Sequence, residues 1–298
     1  LPDFARSIMD GFAVRGSSTF GASEANPAYL NVKGTVEMGE SSNLNVGPGE
    51  AVRISTGGML PAGADSVVMV EHTEALDDTT IEVYRSVAPG QNMVAVGEDI
   101  KKGAIALTGG RRIRPQETGL LAALGRQTVT VYQKPKIGII STGDEIVPVG
   151  DTPGPGQIRD VNTYTLMGLA QELGALAIPY GIVNDDYEAL LAKCTEALDQ
   201  CDMIMVSGGS SVGARDFTID VISAMQKSEI LFHGISISPG KPTILARVQN
   251  KAFWGLPGHI VSAMVVFSRI VIPFIRQIGG YSEVLQNSVR LRAKLSRN

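Results

Sequence analysis

Along the first hundred residues the apolar positions come in short β-favouring runs: Tyr29-Leu30-Asn31-Val32, Ala51-Val52-Arg53-Ile54, Ser66-Val67-Val68-Met69-Val70 and Thr80-Ile81-Glu82-Val83-Tyr84. Clusters of Gly, Pro, Ser and Asn separate them, so the spacing predicts a small sheet or barrel over residues 14–102. The pattern then changes. A helix is expected to begin near Pro115-Gln116-Glu117-Thr118 and to carry Leu120, Leu121 and Leu124, followed by a strand at Thr128-Val129-Thr130-Val131-Tyr132 and a linker at Lys134-Pro135. Residues 1–13 and 103–135 are grouped as a connector domain. From Lys136 onward strands alternate with helices. Strands are expected at Lys136–Ile140, Met203–Val206 and Ala252–Gly255; Tyr187, Leu190, Leu191, Cys194, Ala197 and Leu198 recur at helical spacing after the capping candidates Asp185 and Asp186, as do Phe217, Val221, Ile222 and Met225. Such alternation predicts a three-layer α/β domain over residues 136–280, with a mostly parallel sheet and helices on both faces. Ser288 to Leu295 alternate like a strand whose partners are missing, so residues 281–298 read as the start of a truncated C-terminal β domain. The fold class is α/β plus β.

Composition removes several classes of answer. The 298 residues suffice for two or three domains, and 44% hydrophobic with 19% charged residues describes a globular protein with real cores. A net charge of −4, without a basic stripe, speaks against nucleic acid as a partner. The longest apolar stretch, Ile260 to Ile275, is interrupted by Ser262, Ser268, Arg269 and Pro273, and no basic segment leads into an apolar core at the amino terminus, so neither a membrane span nor a signal peptide is expected. Cys194 and Cys201 fall within one helical pattern and read as reduced core thiols, in keeping with a cytoplasmic setting.

The candidate chemistry sits where strands end. Ser141-Thr142-Gly143-Asp144-Glu145 follows one apolar run, and Ser207-Gly208-Gly209-Ser210-Ser211-Val212-Gly213-Ala214-Arg215-Asp216 follows another. Open α/β sheets bind ligands at the carboxyl ends of their strands, and a glycine loop leading into a helix start can wrap an anion. The same loop also reads as an ordinary glycine-rich turn, Asp216 as a helix cap, and Asp144 or Glu145 as strand terminators. Its spacing matches neither the dinucleotide fingerprint nor the phosphate loop. Ser238-Pro239-Gly240-Lys241-Pro242-Thr243 offers a lysine to a phosphate, and Leu256-Pro257-Gly258-His259 opens a helix containing Ser262. His72 and His233 lack metal-ligand spacing. The amino-terminal half adds Asp10, Asp65 and Asp99 in glycine-flanked settings.

Taken in order, Ser7 to Ala13, Thr56-Gly57-Gly58 to Asp65, Gly97 to Ile100, Ser141 to Glu145, Asp185-Asp186, Ser207 to Asp216, Pro239 to Pro242 and Leu256 to Gly258 give the chain a resemblance to the molybdopterin molybdenumtransferase family, the MoeA proteins and the matching domain of gephyrin. The resemblance implies a reaction: adenylylated molybdopterin, received from a molybdopterin adenylyltransferase, is hydrolysed at its phosphoanhydride with Mg²⁺ and takes up molybdate, releasing AMP. By motif match it carries catalytic roles to Asp10, Thr56, Asp99, Glu145, Asp185 or Asp186, and Asp216, with Mg²⁺ on Glu145 and Asp216. Substrate binding would fall to Ser141, Thr142, Gly143, Asp144, Ser207, Gly208, Gly209, Ser210, Ser211, Gly213, Pro239, Gly240, Lys241, Pro257, Gly258 and Ser262. It further implies a homodimer whose cleft the second subunit completes.

Four positions depart from the family pattern. Met93-Val94-Ala95-Val96 stands where an arginine is common, Ser238 where a lysine is usual, Ile260 where a proline is expected, and Ser210 where valine is frequent. A second reading is therefore a diverged relative that binds a pterin or nucleotide, or scaffolds cofactor proteins, without inserting metal. A molybdopterin adenylyltransferase would share the glycine-loop domain but would not need the long amino-terminal β region.

Overall fold

The computed structural model describes residues 1–208 and 217–282. The chain divides into two compact units, 1–106 and 107–298.

The first unit is built on a six-stranded mixed sheet in the order Ser66–Met69, Gly11–Val14, Glu50–Ile54, Ala28–Val36, Thr80–Val83, Thr73–Ala75. All four strands expected from the apolar runs are present. Successive side chains of a strand point to opposite faces, and Phe12 and Val14 enter one core with Leu30, Val68 and Ile81, while Ala13 enters the other with Val36, Val52 and Val67. Cover on both faces explains why Phe12-Ala13-Val14 and Val67-Val68 are uniformly apolar. Residues 1–13, grouped by sequence with 103–135, place Gly11–Val14 between two strands of this sheet and pair Arg6–Ser7 with Met93–Val94.

In the second unit the sheet order is Leu176–Val183, Lys136–Thr142, Met203–Ser207, Lys251–Leu256, Ile244–Val248, Ser228–His233. The first four strands are parallel, Ile244–Val248 runs against them, and Ser228–His233 pairs antiparallel with it, the mostly parallel arrangement expected. Alternation again sorts the residues. Ile204 and Val206 pack under the helices Tyr187–Gln200 and Phe217–Ala224, whereas Met203 and Met205 face Asn162–Glu172 and the helical run 260–278. This is the three-layer sandwich. Both cysteines are free and buried; burial pushes the Cys194 thiol up to about 12, which leaves it uncharged. At the end of the sheet where the parallel strands begin, Gln249 (φ 51°) and Asn250 (φ 67°) turn Ile244–Val248 into Lys251–Leu256, the left-handed pair a two-residue hairpin requires.

Among the described residues Ile260–Ile278 is the one helix long and apolar enough to cross a membrane, with a mean hydropathy of 1.6. Ala263, Val266, Phe267, Val271 and Ile275 are buried in the second core, which accounts for that composition. Its middle widens into a π turn, Phe267–Val271, just before Pro273, whose ring and missing N–H do not suit a regular turn.

One expected strand has no partner among the described residues. Thr128 to Tyr132 joins no ladder there, and Val129, Val131 and Tyr132 are exposed. Alternation alone does not supply a partner, and without one a strand's backbone groups stay with water. The alternating segment Ser288 to Leu295 lies outside the described residues.

Candidate functional site at the carboxyl ends of the parallel strands

Register brings the strand ends level. Ser207 stands opposite Ser141 on one side and Leu256 on the other, and Val183 opposite Thr142. The chain leaves each strand by a hydrogen bond to its neighbour: Gly143 N–H donates to Val183 O (3.3 Å) and Gly208 N–H to Leu256 O (3.2 Å). Gly208 has φ +108° and lies so close to the neighbouring strand that a Cβ would sit 2.1 Å from Thr142 O. Only glycine suits this position. The Glu145 carboxylate folds back over Gly143, with Oε2 2.6 Å from where a Cβ would be.

Carboxylates gather on the solvent side of these ends. The Thr142 hydroxyl donates to Asp185 Oδ1 (3.2 Å), and the Asp185 N–H donates to Asp144 Oδ1 (3.1 Å). Asp144, Glu145 and Asp185 are all exposed. Asp186 has a different partner: it accepts from Ala189 N–H (2.8 Å) and caps the helix Tyr187–Gln200. Asp186→Ala should lower stability by about 1 kcal/mol, the usual worth of such a cap, and a thermal melt reads it; an unchanged melting temperature would remove the capping role.

Behind the strand ends lies a polar network that the sequence reading did not single out. Asp160, Asn162 and Thr163 are 5%, 7% and 4% exposed. The Ser141 hydroxyl donates to Asp160 Oδ1 (2.9 Å) and lies 2.9 Å from Thr163 Oγ1, and Asp160 Oδ1 also accepts from Thr163 N–H (3.1 Å). Asn162 Nδ2 donates to both Ser207 Oγ and Gly258 O, each at 2.6 Å. The only local signal for them is a polar cluster, Asp160-Val161-Asn162-Thr163, at a helix start.

A third loop reaches the same end of the sheet. His233 pairs with Ile244, and Ile244 with Gly255, so the connection through Lys241 emerges beside Leu256. It is held by Ile235 N–H to Lys241 O (2.9 Å), and the Thr243 hydroxyl donates to Gly240 O (2.7 Å). Gly240 is buried against Val266 of the helix that contains the half-buried Ser262, while Pro239 and Lys241 are exposed. The loop borders a cavity of about 460 Å³ lined by His233, Ser236, Ser238 and Lys241. Pro257 is buried and Gly258 exposed.

The other unit holds Asp10, Thr56 and Asp99. Asp10 Oδ1 accepts from Thr56 N–H (2.7 Å), and this bond holds the carboxyl below the usual carboxylate range. Gly57 N–H donates to Ser7 O (2.8 Å) and Ser7 N–H to Gly58 O (3.0 Å), so the segment carrying Asp10 is docked on Thr56-Gly57-Gly58. Asp99 is exposed, with its N–H on Leu1 O (2.9 Å). Asp65 has structural partners, accepting from Gly16 N–H (2.7 Å) and from the Ser66 hydroxyl (3.0 Å).

Comparison with known proteins decides the family. Residues 1–125 match the MoeA N-terminal region (domain I and II), and residues 138–277 match the model described as "Probable molybdopterin binding domain". The molybdopterin molybdenumtransferase of Haemophilus influenzae is 37% identical over 283 residues, covering 95% of this chain and 68% of the relative. The chain belongs to the molybdopterin molybdenumtransferase family. The Bacillus subtilis member is likewise 37% identical, over 279 residues, with 93% of this chain and 65% of the relative covered. A crystal structure of a molybdopterin biosynthesis MoeA protein from Pyrococcus horikoshii superposes with a TM-score of 0.75 at 41% identity, over 94% of this chain and 69% of that one. A second from the same organism gives 0.77 at 33% identity, over 95% and 69%. The chain thus spans about two thirds of the length of these molybdenumtransferases and MoeA proteins.

Within this member of the family, Gly209, Ser210, Ser211, Gly213 and Asp216 lie outside the described residues. Among the described residues no group of three or more His, Cys, Asp or Glu side chains stands together as a metal cluster. The donors at the strand ends are carboxylate and hydroxyl oxygens, the set a hard cation takes. Of the departures, Val94 is half-buried opposite Arg6, Ser238 is exposed on the third loop, and Ile260 opens the helix that follows His259.

Proposed function

We propose that this chain acts in molybdenum cofactor biosynthesis, inserting molybdate into adenylylated molybdopterin with release of AMP. Family membership supports the reaction class, and the observation that carries the site is the convergence of Thr142, Ser207 and Leu256 at one sheet end, with carboxylates outside and a polar network behind.

The glycine loops at Gly208, Gly240 and Gly258 present backbone N–H groups to phosphate oxygens, and Lys241 supplies a mobile positive charge for the terminal phosphate. Glu145, with Asp144 and Asp185 beside it, faces solvent and holds the attacking water for the phosphoanhydride. Glu145 and Asp216 are the residues that would hold Mg²⁺, which when bound would supply positive charge to the phosphate oxygens. Asp185, its carboxylate oriented by the Thr142 hydroxyl, accepts a proton from the water that attacks phosphorus. Asp10, Thr56 and Asp99 act on the same substrate across a homodimer, the second subunit completing the cleft. The substrate is handed over by a molybdopterin adenylyltransferase in the cytoplasm.

The test uses the full-length protein with adenylylated molybdopterin, molybdate and Mg²⁺, following AMP. Molybdate-dependent AMP release is the expected result. Tight binding without release overturns the transferase reading in favour of a binding or scaffolding relative.

A further inference from the structure

The geometry points to Asn162 as a positioning residue that sets the affinity of the strand-end site for its phosphate-bearing substrate, by clamping the end of the strand Met203–Ser207 to Gly258. The inference rests on the function proposed above.

Asn162 is 7% exposed and starts the helix Asn162–Glu172. Its carboxamide nitrogen has two hydrogens and uses both, one to Ser207 Oγ and one to Gly258 O, at 2.6 Å each. The opposite orientation would set the amide oxygen against the carbonyl of Gly258, two acceptors at hydrogen-bond distance, so the nitrogen is fixed in place. The residues it joins are 45 and 96 positions away in sequence. They are also the roots of two anion-facing loops. Gly208 is wedged between Thr142 O on one side and Gly258 on the other, its Cα 3.6 Å from where a Gly258 Cβ would lie. The two bonds from one buried amide, together with the backbone bond from Gly208 N–H to Leu256 O (3.2 Å), fix the distance between Ser207 and Gly258. A change of a fraction of an ångström there moves backbone N–H groups off a phosphate, and hydrogen bonds weaken steeply with misalignment. Ser141, Asp160 and Thr163 tie the same helix start to the neighbouring strand end, which makes it a rigid post.

Asn162→Asp tests this with little change of shape. A carboxylate keeps the Ser207 contact, because that hydroxyl can turn and donate, but faces Gly258 O with an acceptor and loses the clamp. At pH 7.5 the KM for adenylylated molybdopterin should rise at least tenfold while kcat stays within about threefold of wild type. Lowering the pH should bring KM back toward the wild-type value in this variant alone, since the protonated acid regains a donor for Gly258 O. The emission of Trp254, the single tryptophan, which lies on the strand leading to Gly258, should be unchanged. Equal KM values for the two proteins, a fall in kcat with KM unchanged, or a loss at pH 7.5 that does not recover on acidification would each overturn the positioning role. Should Asn162→Asp give no folded protein, Asn162→Ala is read at pH 7.5 by the same split between KM and kcat. If wild type releases no AMP, the proposed function fails separately, and calorimetric binding of adenylylated molybdopterin replaces turnover: at least tenfold weaker binding by the variant sustains the clamp, and equal binding, or none by either protein, overturns it.

Discussion

Gly208→Ala should unfold the protein at markedly lower denaturant and abolish turnover. A residue other than glycine at φ +108° costs about 1–3 kcal/mol in backbone strain. The added methyl would lie 2.1 Å from Thr142 O, a backbone atom of the hydrogen-bonded strand end that cannot rotate away; forcing it aside adds about 1–3 kcal/mol by analogy with overpacked cores. The sum, roughly 2–6 kcal/mol, is a large share of the ~5–15 kcal/mol a folded domain has. Whatever relaxation the sheet finds will push apart the ends of Lys136–Thr142 and Met203–Ser207, so activity should be lost even in conditions where the fold survives. Urea titration and AMP release measure the two effects. Gly156→Ala is the control: its φ is +83° but nothing lies within 4 Å of the new Cβ, so it should show the strain alone. If both variants melt alike, close approach at the strand end is not what Gly208 is for.

Trp254→Ala should cost about 3–5 kcal/mol, the range for removing a large buried aromatic ring. Trp254 is 1% exposed and lies edge-on between Phe232 and Phe274, at centroid separations of 6.2 and 6.0 Å. Those two contacts join the antiparallel edge of the sheet to the helix Ile272–Ile278, so the cavity would open between layers. Trp254→Phe should cost much less. The indole nitrogen is buried with no hydrogen-bond partner among the described residues, and removing an unpaired buried donor recovers part of what the smaller ring loses. Chemical denaturation of the three proteins decides between this account and a hidden partner for the indole: equal losses for Ala and Phe would mean that the N–H is bonded.

Much of the fold can be read from local pattern because burial imposes it locally. Leu190, Cys194, Ala197 and Leu198 recur at helical spacing since one face of their helix meets the sheet, and Met203-Ile204-Met205-Val206 is uniformly apolar since both faces of that strand are covered. The edge strand Leu176–Val183 is harder to see. It contains Pro179 and Gly181 and shifts register between Pro179 and Ile182, features that an edge tolerates and a sequence pattern penalises. Thr128 to Tyr132 shows the converse, an alternating pattern with no ladder among the described residues. At the site, the glycine and carboxylate loops are legible because they follow apolar runs directly. Beyond a polar cluster at a helix start, nothing local marks Asp160, Asn162 and Thr163, whose partners Ser141, Ser207 and Gly258 are 19 to 96 residues away. Likewise, the neighbours Asp185 and Asp186 cannot be told apart by type; only the backbone sends one to Thr142 and the other to Ala189.

The hairpin at Gln249-Asn250 gives the molecule a usable polarity. It sits where the parallel strands begin, a full strand length from Gly208, Lys241 and Gly258, and both its residues are exposed. A dye, a biotin acceptor or a surface linker inserted there would anchor the α/β unit by its base and leave the loop end facing solution. A tethered molecule of this kind would let substrate capture be watched one protein at a time without a handle near the loops.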